Sequence, residues 1–113
     1  MAKYTIYHNP RCTKSRNALK LLESEGVGFD VVEYLDNPLS QKAVKDLLSN
    51  GDFELKELIR TKEAKEFGVD LKGSTDAQLV KAITEYPKIM QRPVVSKGKK
   101  VTIARDEDWF SRL

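Results

Sequence analysis

The strongest constraint on the fold lies in the first third of the chain, where strand, helix and strand patterns follow one another with only short breaks. Lys3-Tyr4-Thr5-Ile6-Tyr7 is rich in β-branched and aromatic residues, as strands are. His8-Asn9-Pro10-Arg11 interrupts it. A helix is predicted from about Thr13 to Glu25, with Ala18, Leu19 and Leu22 on one face and Gly26 as its stop. Phe29 to Leu35 is nearly continuous in apolar character, which predicts a second strand, central in its sheet. Two strands joined by a crossover helix form a βαβ unit, and its strands run parallel.

A helical block follows. Pro38 and Ser40 open a helix carrying Ala43, Val44, Leu47 and Leu48, closed near Gly51. Shorter amphipathic pieces run through Leu55-Leu58-Ile59 and from Ala64 to Phe67. Thr75 and Gln78 have capping-box spacing and start a helix that bears Leu79, Val80 and Ile83 and ends at Pro87. The tail returns to a strand pattern: Pro93-Val94-Val95 and Val101-Thr102-Ile103 flank Ser96-Lys97-Gly98, predicting a hairpin with its turn there. Asp106 to Arg112 predicts a short last helix, with Trp109 and Phe110 packing back.

The order is βαβ, a helical insert over about residues 39–87, then ββα. That is the order of an α/β, thioredoxin-like fold with a mixed four-stranded sheet. With 113 residues and no repeat or linker, one domain spanning 1–113 is expected.

Composition narrows the function classes. Hydrophobic residues make up 40% and charged residues 33%, as in an ordinary soluble protein. No apolar run approaches the ~20 residues that span a bilayer, so no membrane partner is expected. Met1, Ala2 and Lys3 lead straight into the strand pattern without an apolar leader, which predicts a cytoplasmic address. One Cys forms no internal disulfide, and one Cys with one His is too little for a structural zinc site, so no metal is expected. A net charge of +3 is only mildly basic, and Lys97, Lys99 and Lys100 are too few to argue for a nucleic-acid partner.

The chemistry concentrates in His8-Asn9-Pro10-Arg11-Cys12-Thr13-Lys14-Ser15-Arg16, which joins a strand end to a helix start. Open α/β sheets bind ligands beyond the carboxyl ends of their strands. A helix N-terminus presents unpaired N–H groups and partial positive charge, which attract anions. The same field stabilises a thiolate at Cys12, and Arg11 and Arg16 add to it. Ser15 lies one helical turn on, where its hydroxyl is expected to donate to the thiolate or to a bound oxyanion. A free cysteine is usually a small buried hydrophobe. The polar, basic neighbours of Cys12 and its place in a loop argue for a reactive thiol instead. A lone His such as His8 is more often a hydrogen-bonded structural residue than a catalyst, and Asn9 and Pro10 on their own are ordinary turn residues.

From Ile6 to Arg16 this stretch resembles the active-site segment of the glutaredoxin-coupled arsenate reductases, the bacterial ArsC family, whose pattern is a strand followed by His-Asn-Pro-x-Cys-x-x-Ser-Arg. Tyr34-Leu35 with Asn37-Pro38, Leu58-Ile59-Arg60, Gln91-Arg92-Pro93-Val94-Val95 and Arg105 extend the resemblance. In ending soon after Arg105 the chain is similar to the short, chromosomally encoded members. The resemblance implies that Cys12 attacks arsenate, that glutathione as co-substrate attacks the adduct, and that glutaredoxin resolves it with release of arsenite. It implies that Arg60, Arg92 and Arg105 hold the oxyanion, that His8, Ser15 and Arg16 tune the thiolate and its loop, and that Asn9 and Pro93 support the site. Arg92-Pro93 falls where thioredoxin-like folds carry a cis-proline. Guanidinium groups suit tetrahedral oxyanions because they grip paired oxygens through charge-assisted hydrogen bonds.

No bound cofactor is expected, and a monomer is. Two further functions stay open. A thiol-dependent reductase or glutathione-binding protein with another substrate needs the same thiol and anion site. An RNA polymerase-binding regulator like the related Spx proteins shares the fold, but those proteins typically carry Cys-x-x-Cys, and Ser15 stands here in the second position.

Overall fold

The computed structural model describes residues 3–113, so Met1 and Ala2, part of the leader argument, lie outside the described residues. Strand β1 (Tyr4–Tyr7) leads to helix α1 (Thr13–Ser24), and β2 (Phe29–Val32) returns parallel to β1 with Tyr4 opposite Phe29. Gly26, at a φ of 68°, supplies the left-handed residue that ends α1. Helices α2 (Gln41–Asn50), α3 (Thr61–Glu66) and α4 (Asp76–Glu85) follow, with 3-10 turns at Leu55–Leu58 and Pro87–Ile89. Strands β3 (Val94–Lys97) and β4 (Lys100–Ile103) and a 3-10 turn at Trp109–Arg112 end the chain. The sheet is mixed, in the order β2-β1-β3-β4, with β1 antiparallel to β3 and β3 to β4. This is the thioredoxin-like arrangement.

Strand alternation builds a core on each face. Tyr4, Ile6 and Val95 pack with Ala18 and Leu22 of α1 and with Trp109. Tyr7, Val94 and Val101 face the other way, onto Val44 and Leu47 of α2 and Leu79 and Ile83 of α4. Caps fix where the insert helices begin: Ser40 Oγ accepts the Ala43 N–H, and Thr75 and Gln78 form the reciprocal capping box that their spacing predicts.

Three sequence expectations are corrected. The stretch Phe29–Leu35 is not a central strand: β2 stops at Val32 and lies at the sheet edge, with Val31 44% exposed. Its apolar residues serve different places, because Phe29 packs toward α1 while Tyr34, beyond the strand, drops into the core under the insert. The hairpin turn is Gly98-Lys99 rather than Ser96-Lys97-Gly98, since Lys97 pairs with Lys100. Gly98, at a φ of 59°, takes the position that a tight two-residue turn reserves for glycine. The last element is a 3-10 turn, not an α-helix.

No helix among the described residues is long and apolar enough to cross a membrane.

Candidate active site

The loop after β1 is held by its own polar groups. The His8 N–H donates to the Val32 carbonyl at 2.8 Å, which carries the β1–β2 pairing one residue beyond the strands. Asn9 Oδ1 accepts the Arg11 N–H at 3.0 Å, an Asx turn, and the Asn9 carbonyl accepts the Cys12 N–H at 3.0 Å. Cys12 is therefore the N-cap of α1, extended at φ −94° and ψ 124°, and its carbonyl accepts the Arg16 N–H. The thiol stands at the open end of the helix, half-buried and free.

Ser15 does not direct its hydroxyl at Cys12. The side chain is fully buried, its Oγ lies 2.6 Å from His8 Nδ1, and it accepts the Asn9 N–H at 3.0 Å. Burial lowers the pKa of His8 against the opposing charge of Glu33, which favours the neutral ring at neutral pH. What Ser15 offers Cys12 is its backbone N–H, together with that of Lys14. Burial works to raise the Cys12 pKa; those two amides and the Arg92 and Arg105 guanidiniums outweigh it and hold the thiol below its ordinary value. Arg16 is exposed and reaches Thr13 Oγ1 at 3.3 Å, away from the cleft.

Two backbone devices bring the distant arginines together. Ile59 bridges Met90 antiparallel, with the Arg60 N–H on the Ile89 carbonyl and the Gln91 N–H on the Leu58 carbonyl, both at 2.7 Å. This sets Arg60 beside Arg92. The Arg92-Pro93 peptide is cis, the buried Pro93 carbonyl accepts the Ala104 N–H at 2.9 Å, and Arg105 Nη1 donates to the Arg92 carbonyl at 2.7 Å. Cys12, His8, Asn9, Arg60, Arg92 and Arg105 thus line one cleft of about 730 Å³; Ser15, Arg16 and Pro93 do not.

Glu63 escaped the sequence reading, and Tyr34 entered it only through the family resemblance. Glu63 Oε2 accepts from Arg60 Nε at 2.8 Å and from Arg92 Nη2 at 3.2 Å. Its position three residues after Arg60 was an available sign, since that spacing pairs side chains on a helix. The buried hydroxyl of Tyr34 makes no well-aligned hydrogen bond among the described residues, and burial pushes its pKa up to about 12 against the charge of Arg92 and the polar side chain of Asn9 beside it. Among the described residues no group of three or more His, Cys, Asp or Glu side chains could hold a metal.

Comparison with known proteins agrees with this architecture. The ArsC family pattern matches residues 7–113. The arsenate reductase of Neisseria meningitidis serogroup A is 37% identical over 108 residues, covering 93% of this chain and 92% of that protein. The Escherichia coli protein YfgD, whose name carries no activity, is 41% identical over 103 residues, covering 88% of this chain and 87% of that one. The solved structure of an arsenate reductase from Vibrio cholerae superposes with a TM-score of 0.91 at 31% identity, covering 99% and 98% of the two chains. The sequence match and the superposition span nearly the whole chain, and the chain belongs to the ArsC family.

Proposed function

We propose that this protein is an arsenate reductase that uses external thiols. The observation that carries the reading is the convergence of Arg60, Arg92 and Arg105 on a cleft whose nucleophile, Cys12, has a lowered thiol pKa at a helix N-terminus. The guanidiniums grip the oxygens of a tetrahedral anion and neutralise charge as the thiolate approaches. The Cys12 sulfur bonds to arsenic(V) and one arsenic oxygen leaves as water. A glutathione thiol then replaces a second arsenic oxygen, which leaves as water. A glutaredoxin thiol attacks the glutathione sulfur, forming a mixed disulfide, and the electron pair of the broken sulfur–arsenic bond reduces arsenic(V) to arsenic(III). Water releases arsenite and restores the Cys12 thiol. Two external thiols supply the two electrons, in keeping with a chain that has a single cysteine. The protein needs no bound cofactor in this scheme and works as a monomer in the reducing cytoplasm.

A cleft of about 730 Å³ is much larger than a tetrahedral anion, which supports room for glutathione beside the oxyanion. The same excess favours a second reading, a thiol-dependent reductase acting on a larger substrate such as a glutathione mixed disulfide.

Intact-protein mass spectrometry separates them. Arsenate should add mass to Cys12, glutathione with glutaredoxin should discharge it with arsenite release, and Cys12→Ser should do neither. Arg60→Ala should weaken capture of arsenate. Full turnover by the Cys12→Ser variant, or no adduct beside rapid reduction of a glutathione mixed disulfide, would overturn the arsenate reading.

A further inference from the structure

Glu63 places a negative charge inside a cleft otherwise built for anions. Its Oε2 is shared by Arg60 Nε and Arg92 Nη2, its side chain is only 13% exposed, and it lines the same cleft as Cys12. Oε1 is enclosed and has no hydrogen-bond donor. Burial works to raise the Glu63 pKa, but the hydrogen bond and charge of Arg60 and the charge of Arg92 prevail, so the carboxyl is ionised at neutral pH. A ligand held by these two guanidiniums lies against the carboxylate, because acceptors that share a donor group sit within a few ångströms of each other. Like charges that close in a partly dry cleft repel strongly unless a proton lies between them.

Tetrahedral anions of similar size differ on this point. Arsenate and phosphate keep at least one O–H at neutral pH, whereas sulfate has none. We propose that Glu63 is a specificity-determining residue that admits protonated tetrahedral oxyanions to the Cys12 cleft and rejects sulfate. The hydroxyl of the ligand donates to Glu63 Oε2, the carboxylate oxygen that faces the two guanidiniums, and a fully ionised dianion meets uncompensated repulsion there. This deepens the proposed function and rests on its reading of the cleft as an oxyanion site.

The test measures how sodium phosphate and sodium sulfate slow alkylation of Cys12 by iodoacetamide, at constant ionic strength and neutral pH. Wild type is compared with Glu63→Gln, which keeps the shape and removes the charge, and rates are normalised to each protein's thiol pKa. Wild type should be protected at a phosphate concentration at least about tenfold below that needed of sulfate. Glu63→Gln should bring the two anions within about twofold, chiefly by tighter sulfate binding. Equal protection of wild type by both anions overturns the inference without recourse to any variant. An unchanged phosphate-to-sulfate ratio in Glu63→Gln does the same. Absence of protection by either anion, with the arsenate adduct on Cys12 still forming, defeats the role of Glu63 alone; absence of the adduct as well defeats the oxyanion reading beneath it.

Discussion

Ser15 Oγ lies 2.6 Å from His8 Nδ1 and accepts the Asn9 N–H, so one buried hydroxyl ties the end of β1 to the first turn of α1. Ser15→Ala leaves a buried ring nitrogen and a buried amide without partners, which should destabilise the fold by about 1–3 kcal/mol. The backbone N–H that favours the thiolate survives the change. Urea denaturation should therefore report a clear loss while the Cys12 pKa moves little. A large rise in thiol pKa at unchanged stability would contradict this division of labour.

The lowered pKa of Cys12 links thiol ionisation to stability. A depressed acid stabilises the folded state above its unfolded pKa, and this contribution is lost as pH falls through the folded value. The stability difference between wild type and Cys12→Ser should therefore grow with pH from the folded thiol pKa to the ordinary one and then level off. Denaturation curves collected between about pH 5 and 9 check the sign. A difference that shrinks with rising pH would mean that burial, not the amides and guanidiniums, governs the thiol.

Tyr34 presents the opposite case. Its phenol is raised from 10.0 to about 12, mainly by burial, so its contribution is undiminished below 10.0 and is lost as pH rises through about 12. Because its hydroxyl makes no well-aligned hydrogen bond among the described residues, Tyr34→Phe should leave neutral-pH stability within about 1 kcal/mol of wild type and lessen the alkaline loss. Denaturation at neutral and alkaline pH tests both halves; a marked loss at neutral pH would reveal a polar contact essential to the site.

At the other end of the chain, Arg112 donates to Asp106 through both Nη atoms at 2.6 and 2.8 Å and to Thr102 Oγ1 through Nε at 3.0 Å. Arg112 is the main reason the exposed Asp106 carboxyl falls from 3.8 to about 2. The benefit is present above 3.8 and lost as pH falls through about 2. Arg112→Ala should return Asp106 to the ordinary carboxylate range and loosen the turn carrying the buried Trp109, seen as red-shifted tryptophan emission. Unchanged emission would mean that the apolar contacts of Trp109 hold the tail alone.

The sequence was most legible where the signal is local. The β1–loop–α1 passage, the Ser40 cap and the Thr75–Gln78 box follow from residues within a few positions of one another, and the structure has all of them. Phe29–Leu35 misled because an apolar run states that burial occurs without stating where. Phe29 and Tyr34 are covered by different cores, and the strand between them is an edge. The family pattern named Ser15 and Arg16 alike, but backbone geometry turns Ser15 inward onto His8 and Arg16 outward to Thr13. Glu63 went unread because a carboxylate three residues after an arginine is commonplace on helices. Only the arrival of Arg92 from a segment 29 residues away gives it a place in the cleft.

By itself, then, the sequence determined the βαβ opening, the helical insert, the returning hairpin and the placement of one thiol at a helix N-terminus, since each depends on local periodicity, capping and turn chemistry. Tertiary structure alone decided which strand is the edge, how Arg60, Arg92 and Arg105 converge on that thiol, and where Ser15 and Glu63 spend their hydrogen bonds. The physical reason is that charge acts through space. The field at Cys12 is summed over groups brought together by the Ile59–Met90 bridge and the contacts around Arg92 and Pro93.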